Sequence, residues 1–199
     1  DVRLVAMCDI FESKVKAARE NLKKIHPDKV IVDDDHCFVG LDGYKKVIEA
    51  SDVVLIACAS KFHPMYSEEA IKAGKHVFCE KPLAGTAEEA KKMWEAAKNS
   101  QAKAMVCFNY RFVPALRLAR DLIASGELGE VYHFRARYLQ EWIMDPNFPA
   151  VWRLDRNVAG SGALGDLGSH IIDLARFLVG EIVAVSAVTR TFIKERPAP

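Results

Sequence analysis

Short apolar runs alternate with longer segments of helical periodicity over the first half of the chain. Apolar runs of this length, bounded by polar residues, are typical of buried strands, whereas apolar residues at every third or fourth position indicate amphipathic helices. The alternation predicts an α/β fold in which a parallel sheet has helices on both faces. The predicted strands cover residues 4–8, 30–32, 53–57, 76–79 and 103–107.

Capping residues help to place the helices between these strands. A helix over 12–24 follows the first strand, and Asp42 is the expected N-cap of a second helix over 43–50. Pro64 suits the first turn of a helix that ends before Gly74. Thr86 and Glu89 have the spacing of a capping box, which predicts the start of a further helix.

The pattern changes after about residue 110. We predict a helix over 114–125, an alternating strand over 131–139, a loop over 141–165, a helix over 167–179 and a long strand over 182–193. Strands of this kind favour an antiparallel sheet. The sequence therefore predicts two domains, a Rossmann-type parallel-sheet domain over 1–110 and an α/β domain with an open, mainly antiparallel sheet over 111–199.

Composition narrows the function classes. Half of the 199 residues are hydrophobic, and 28 basic against 27 acidic residues give a net charge of +1 without a basic stripe, so we expect neither disorder nor nucleic-acid binding. No apolar run has the length of a membrane helix, so we expect no membrane partner. The five cysteines include no CxxC pair and are expected to be reduced and buried in a cytoplasmic protein, with a catalytic thiol or zinc site as the alternative.

Polar residues follow the predicted strands of the first half: Asp9, Ser60, the pair Glu80 and Lys81, and Asn109. Ligands of open α/β sheets bind at the carboxyl ends of the strands, so these side chains are candidates for one binding edge. An acidic residue that ends the second strand of a dinucleotide fold accepts hydrogen bonds from the adenosine ribose, a role that Asp9 fits. The alternative is a turn or N-cap aspartate before the first helix.

No glycine-rich GxGxxG loop precedes Asp9 in the sequence. If Asp9 ends the second strand of a dinucleotide fold, the first strand, its phosphate-binding loop and its helix are expected upstream of this chain.

A second cluster of chemically active residues lies in the predicted helix over 167–179 and just before it. Asp166, His170 and Asp173 are spaced by four and three residues, which brings them to one helix face. A carboxylate beside an imidazole orients the ring and raises its basicity, as a general base requires. The alternatives are an N-cap Asp166 with a structural histidine, and a metal site built from the three side chains.

The pair Trp152 and Arg153 precedes this cluster in a loop that contains glycine. An aromatic ring and a guanidinium suit a polyhydroxylated ligand, through stacking and forked hydrogen bonds. A packed tryptophan beside a solvated arginine is the alternative.

Two motifs in this order resemble those of the Gfo/Idh/MocA oxidoreductases. The first is Glu80-Lys81-Pro82 after a strand, and the second is Asp166-x-x-x-His170-x-x-Asp173 on a later helix. The segments over 73–82, 108–112, 126–130 and 160–173 are also typical of the family, the last of them of its sugar dehydrogenases.

The resemblance implies an enzyme that transfers a hydride between a hydroxyl-bearing carbon of a sugar, anhydrosugar or cyclitol and NAD, with NADP as the alternative cofactor. It implies that Lys81, Asp166 and His170 are catalytic and that the Lys81–Pro82 peptide is often cis. It also implies a homo-oligomer, a dimer or tetramer, formed through the second-domain sheet. The implied cofactor contacts are Asp9, Ser60, His63, Glu80, Lys81, Asn109 and Arg111, and the implied substrate contacts are Trp152, Arg153 and Asp173, with no metal.

The sequence departs from the family where Ala59-Ser60-Lys61 replaces the usual Thr-Pro-Asn, although His63 is retained. The second domain is also expected to lack its last strands. Two further functions stay open, a catalytically silent member that binds cofactor or sugar and a metal-dependent hydrolase.

Overall fold

The computed structural model describes residues 1–155, 159–160 and 162–198. It divides the chain into two compact units, Asp1–Val106 and Cys107–Pro199. The predicted loop over 141–165 and the motif over 160–173 lie partly outside the described residues. No helix in the described ranges is both long and apolar enough to cross a membrane.

The first unit contains two parallel sheets. Strands β1 (Met7–Asp9) and β2 (Cys37–Val39) form one, and β3 (Val53–Ile56), β4 (His76–Cys79) and β5 (Ala104–Val106) form the other, with β4 in the centre. Ile56, Cys79 and Val106 are register partners, so the three strands end together. The parallel α/β architecture is as predicted.

Two strand predictions were wrong in detail. The segment over 30–32 forms only an isolated bridge between Leu4 and Val30, and β1 begins at Met7. The partner of β1 is instead Cys37–Val39, a run of three residues that follows the acidic residues 33–35. A strand this short carries too few alternating positions to be distinguished from a loop by its pattern.

Helices α1 (Glu12–Ile25), α2 (Gly43–Ala50), α3 (His63–Lys72) and α4 (Ala87–Lys98) occupy the predicted segments. Asp42 is the N-cap residue of α2, as predicted, but its side chain makes no capping hydrogen bond and pairs with Lys45 at 2.8 Å. Gly43 allows α2 to approach the first sheet, since a Cβ there would lie 2.6 Å from the Cys8 sulfur.

The core of the first unit lies on one face of the three-stranded sheet. Val54, Ile56 and Val77 are buried there against Ile71 of α3 and Met93 of α4. On the opposite face, Val53 and Leu55 are 58% and 64% exposed. The expectation of helices on both faces therefore fails for this sheet, because no element of the described chain covers the second face of β3.

The capping box at the start of α4 is present in full. Glu89 N donates to Thr86 Oγ1 at 3.2 Å, and Glu89 Oε2 accepts from the backbone of Thr86 and Gly85 at 3.1 Å. We expect Glu89→Ala to lower the free energy of unfolding of the first unit by about 1 kcal/mol more than Glu88→Ala. Glu88 is the matched control, since it lies in the same first turn and makes no box. Urea unfolding measures both, and equal losses would mean that the box does not stabilise the helix.

The second unit contains the α-helices α5 (Pro114–Ala124) and α6 (Ser169–Leu178). Short 3-10 turns cover Asn109–Phe112 and Trp152–Leu154, and a π-helical turn, Leu164–Gly168, leads directly into α6. The helix predicted over 167–179 thus begins two residues later as an α-helix and is preceded by a wider turn.

No strand is assigned in the described part of the second unit, so the predicted strands over 131–139 and 182–193 are not observed. A strand gains its hydrogen bonds only from a neighbouring strand, and a favourable pattern does not provide one. The apolar residues of the second segment accordingly lie in solvent, with Val183 99% and Val188 97% exposed.

Candidate active site

Glu80 and Lys81 lie where β4 stops. The Glu80 N–H donates to the carbonyl of Ile56 at 2.8 Å, which extends the pairing with β3 by one residue. The Lys81 N–H donates to Glu80 Oε2 at 3.2 Å. The Lys81–Pro82 peptide is cis, as the resemblance implied. Both side chains are half-buried at the carboxyl edge of the sheet, the edge at which such sheets bind ligands.

Asp9 ends β1 and makes the turn contact that was considered as the alternative role for it. Its Oδ1 accepts a hydrogen bond from the Phe11 N–H at 2.9 Å, which fixes the turn before α1. Among the described residues, no hydrogen bond to its Oδ2 is found. The carboxylate therefore retains an acceptor oxygen at the end of the strand, and a ribose hydroxyl requires an acceptor of this kind.

Two thiols, Cys8 and Cys58, lie at or just after the carboxyl ends of β1 and β3, one strand from each sheet. Partial desolvation of its thiol raises the pKa of Cys58 to about 11, and the Cys8 thiol contributes to the shift. Cys8 directly precedes Asp9, and Cys58 lies in the loop after β3 that leads to Ser60. Of the five thiols, all free, Cys79 alone is buried and Cys58 is exposed, so the expectation of five buried cysteines is wrong.

The surroundings of His63 differ from those expected of a residue that contacts the cofactor. Its ring is 1% exposed, its Nδ1 lies 2.9 Å from the Pro82 carbonyl oxygen, and its Nε2 lies 3.0 Å from the Cys58 carbonyl oxygen. Both ring nitrogens contact backbone carbonyls inside the protein. The prediction that His63 contacts the cofactor directly is therefore wrong for this structure. Ser60, which opens the 3-10 turn before α3, is half-buried.

In the second unit, His170 lies among aromatic rings. It is 8% exposed, and its ring centroid lies 4.5 Å from that of Tyr110 and 6.2 Å from that of Tyr138. The two tyrosine hydroxyls are hydrogen-bonded at 2.6 Å. This bond raises the pKa of Tyr110, and burial and the charges of Tyr138 and Asp166 add to the shift.

Sequence reasoning gave no role to Tyr110 and Tyr138. A signal for Tyr138 was present, since the even positions over 132–142 read Tyr, Phe, Ala, Tyr, Gln and Trp. Residues of this face extend the hydrogen bond between the two tyrosines into a chain. Gln140 Nε2 donates to the Tyr138 hydroxyl at 3.2 Å, and Trp142 Nε1 donates to Gln140 Oε1 at 2.8 Å.

Asp166 lies in the π-helical turn rather than on a regular helix with His170. Its backbone N–H donates to the Gly162 carbonyl at 3.0 Å, and its side chain is half-buried. The predicted α-helical spacing from Asp166 to His170 is therefore wrong. π-Turns of this kind are frequent at functional sites.

Asp173 and Arg111 were predicted to contact substrate and cofactor, and in the structure they bind each other. Arg111 Nε donates to Asp173 Oδ2 at 2.8 Å, and Nη2 donates to Oδ1 at 2.5 Å. The Asp173 side chain is 7% exposed, and the guanidinium also lies 5.2 Å from the Phe177 ring centroid. The hydrogen bonds to Asp173 raise the pKa of Arg111. Both charges are paired within the unit, where Asp173 is buried and Arg111 stays partly exposed, and the ligand contacts of the two residues stay predictions.

The remaining predicted residues lie at the surface. The guanidinium of Arg153 stacks on Trp152 at 4.4 Å from the ring centroid, and Trp152 is 52% exposed. Asn109 opens the 3-10 turn that carries Tyr110 and Arg111 and is also exposed. No group of three or more potential metal ligands occurs among the residues that the structure describes.

Both parts of the chain match known family models. Residues 1–108 match the oxidoreductase family with an NAD-binding Rossmann fold, and residues 116–199 match the GFO/IDH/MocA C-terminal domain.

Named relatives act on sugars and cyclitols. The levoglucosan dehydrogenase of Pseudarthrobacter phenanthrenivorans is 49% identical over 156 residues, 77% of this chain and 40% of that protein. The inositol 2-dehydrogenase of Rhizobium meliloti is 32% identical over 197 residues, 97% of this chain and 52% of that protein. A solved levoglucosan dehydrogenase in complex with NADH and levoglucosan has a TM-score of 0.83 at 40% identity, covering 99% of this chain and 50% of that chain.

The chain spans about half the length of the relatives it matches. Two family models in sequence order and several relatives above 30% identity establish its membership. The chain belongs to the Gfo/Idh/MocA family of oxidoreductases.

Proposed function

We propose that this chain carries the catalytic core of an NAD-dependent dehydrogenase that oxidises a hydroxyl group of a sugar, anhydrosugar or cyclitol. The observation that carries the proposal is Glu80-Lys81-Pro82 at the carboxyl end of β4, in a chain whose two parts both match the family. The names of the relatives, levoglucosan and inositol dehydrogenases among them, support the substrate class.

In this proposal, Lys81 and His170 have different catalytic roles. The Lys81 ammonium donates a hydrogen bond to the reacting hydroxyl and stabilises the alkoxide character that develops there. The His170 imidazole accepts the hydroxyl proton, with Asp166 as its electrostatic partner. Tyr110 and Tyr138 pack against the His170 ring and hold its orientation.

The residues at the edge of the first unit suit NAD. Asp9 accepts a ribose hydroxyl through Oδ2, while Oδ1 remains on the Phe11 N–H. Glu80 and Ser60 line the same edge, and Asn109 follows β5. When bound, NAD supplies the acceptor for the hydride.

Asp9→Ala is expected to lower kcat/KM for NAD by about 10- to 100-fold, because a hydrogen bond to a charged group contributes about 1.5–3 kcal/mol. The kcat/KM for NADP should fall less, since the substitution also removes a carboxylate that repels the 2′-phosphate of NADP. Initial rates with both cofactors measure this in the complete protein. Asp52→Ala is the control, because Asp52 precedes β3 at the opposite edge of the sheet. Equal losses with the two cofactors would contradict the role of Asp9.

Trp152 and Arg153 are proposed to contact the polyol by stacking and hydrogen bonding, since both residues are exposed. The exposed segments over 131–139 and 182–193 are proposed to form an open antiparallel sheet in the complete protein, through which it forms a homo-oligomer. Light scattering of the complete protein tests this state. The free thiols suit a reducing compartment, and we propose the cytoplasm.

The test of the function is NADH formation by the complete protein across a panel of sugars, anhydrosugars and cyclitols. Turnover of at least one polyol supports the proposal. Cofactor binding without turnover of any of them would contradict it and would leave a cofactor-binding protein of the same fold.

A further inference from the structure

His63 is the largest fully buried side chain of the described residues, and it opens α3. Its two ring nitrogens reach carbonyl oxygens from two segments of the first unit. Nδ1 lies 2.9 Å from the Pro82 oxygen, in the turn after β4, and Nε2 lies 3.0 Å from the Cys58 oxygen, in the loop after β3.

A carbonyl oxygen only accepts hydrogen bonds, so each contact requires an N–H on the ring. The neutral imidazole has one N–H and donates to one of the two carbonyls, whereas the imidazolium donates to both. The imidazolium therefore bonds both segments at once, the loop that leads to Ser60 and the turn that contains Lys81, whereas the neutral ring bonds one of them. Because the ring is 1% exposed, solvent does not compete for these bonds.

We propose that His63 is a positioning residue that clamps the loop over 58–62 to the turn over 80–84. It does not contact substrate or cofactor. Through the Pro82 carbonyl it holds the backbone that carries Lys81, and through the Cys58 carbonyl it holds the loop that carries Ser60 at the cofactor edge. The clamp is a property of the first unit, and its kinetic consequences rest on the proposed dehydrogenase function.

Three substitutions at His63 distinguish the contribution of the Pro82 bond from that of the Cys58 bond. His63→Phe keeps most of the ring volume and removes both donors. The amide nitrogen of Asn occupies a position close to that of His Nδ1, so His63→Asn should keep the bond to Pro82. The amide nitrogen of Gln corresponds to Nε2, so His63→Gln should keep the bond to Cys58.

Amide hydrogen exchange of the complete protein tests the clamp without reference to activity. Faster exchange is expected in both segments, 58–62 and 80–84, for His63→Phe, with α4 unchanged. His63→Asn should restore protection at 80–84, and His63→Gln should restore it at 58–62. Ser67→Ala is the matched control, because Ser67 is buried one turn further along α3 and its Oγ has no hydrogen-bond partner among the described residues.

Kinetics provide the second readout. His63→Phe should lower kcat by about 100-fold, since displacement of a catalytic group by about 1 Å has effects of this size. His63→Asn should recover kcat, and His63→Gln should recover the KM for NAD but not kcat.

Identical exchange at both segments in the Phe, Asn and Gln variants, whether slow or fast, would overturn the clamp. If the wild-type protein turns over no polyol, the proposed function fails, and the exchange pattern still decides on the clamp.

Discussion

Replacing Lys81 with alanine is expected to lower kcat of the complete enzyme about 10³-fold, within the range of about 10²–10⁴ for a residue that assists proton transfer. Lys81 lies two residues after the central strand, where the backbone N–H groups of Glu80 and Lys81 are both hydrogen-bonded. In the proposed mechanism, its ammonium stabilises the hydroxyl oxygen as the proton leaves, so removal of the ammonium raises the barrier more than it weakens binding. The KM for NAD should change little. Steady-state rates with a turned-over polyol measure the effect.

Lys72→Ala is the matched control for this prediction. Lys72 ends α3 in the same unit, and its side chain is 71% exposed in an ion pair with Glu68 at 3.5 Å. Pairs of this kind contribute little to stability, so the control should keep the wild-type rate. A Lys81→Ala variant with the wild-type rate would remove Lys81 from the mechanism.

The second large effect concerns the Arg111–Asp173 pair. Arg111→Met is expected to lower the free energy of unfolding of the second unit by about 3 kcal/mol, because it leaves a buried carboxylate without its cation. Asp173→Asn should cost less, since the Arg111 side chain is 38% exposed and keeps access to water, whereas Asp173 is 7% exposed.

Arg176→Met is the control for the pair. Arg176 lies on the same helix and pairs with Glu181 at 2.8 Å, but both side chains are mostly exposed, so the loss should stay below about 1 kcal/mol. Urea unfolding, with amide exchange of α6 as a local measure, compares the variants. Equal losses for Arg111→Met and Arg176→Met would show that the burial of Asp173 is not what makes the first pair important.

Sequence reasoning located the elements whose signals are local. Strand β4 has the predicted bounds, and α4 begins at the predicted capping box, because both depend on residues that are adjacent or one turn apart. The position of Lys81 followed from the strand and the proline after it. The parallel arrangement also followed, from the alternation of strand and helix.

Properties that depend on distant residues were not predictable in this way. Nothing in the pattern indicated that Arg111 pairs with Asp173, 62 residues away, or that both nitrogens of His63 are used inside the protein. The two unobserved strands illustrate the same limit, because alternation indicates a face but does not supply a partner strand.

The most direct test of the proposed reaction follows the hydride itself. The complete protein is incubated with NAD and a polyol that it oxidises, deuterated at the carbon that bears the reacting hydroxyl, and the NADH formed is analysed by mass spectrometry. We predict one deuterium in each NADH formed, together with a slower rate than with the undeuterated polyol. NADH without deuterium, formed at an unchanged rate, would contradict direct hydride transfer from that carbon.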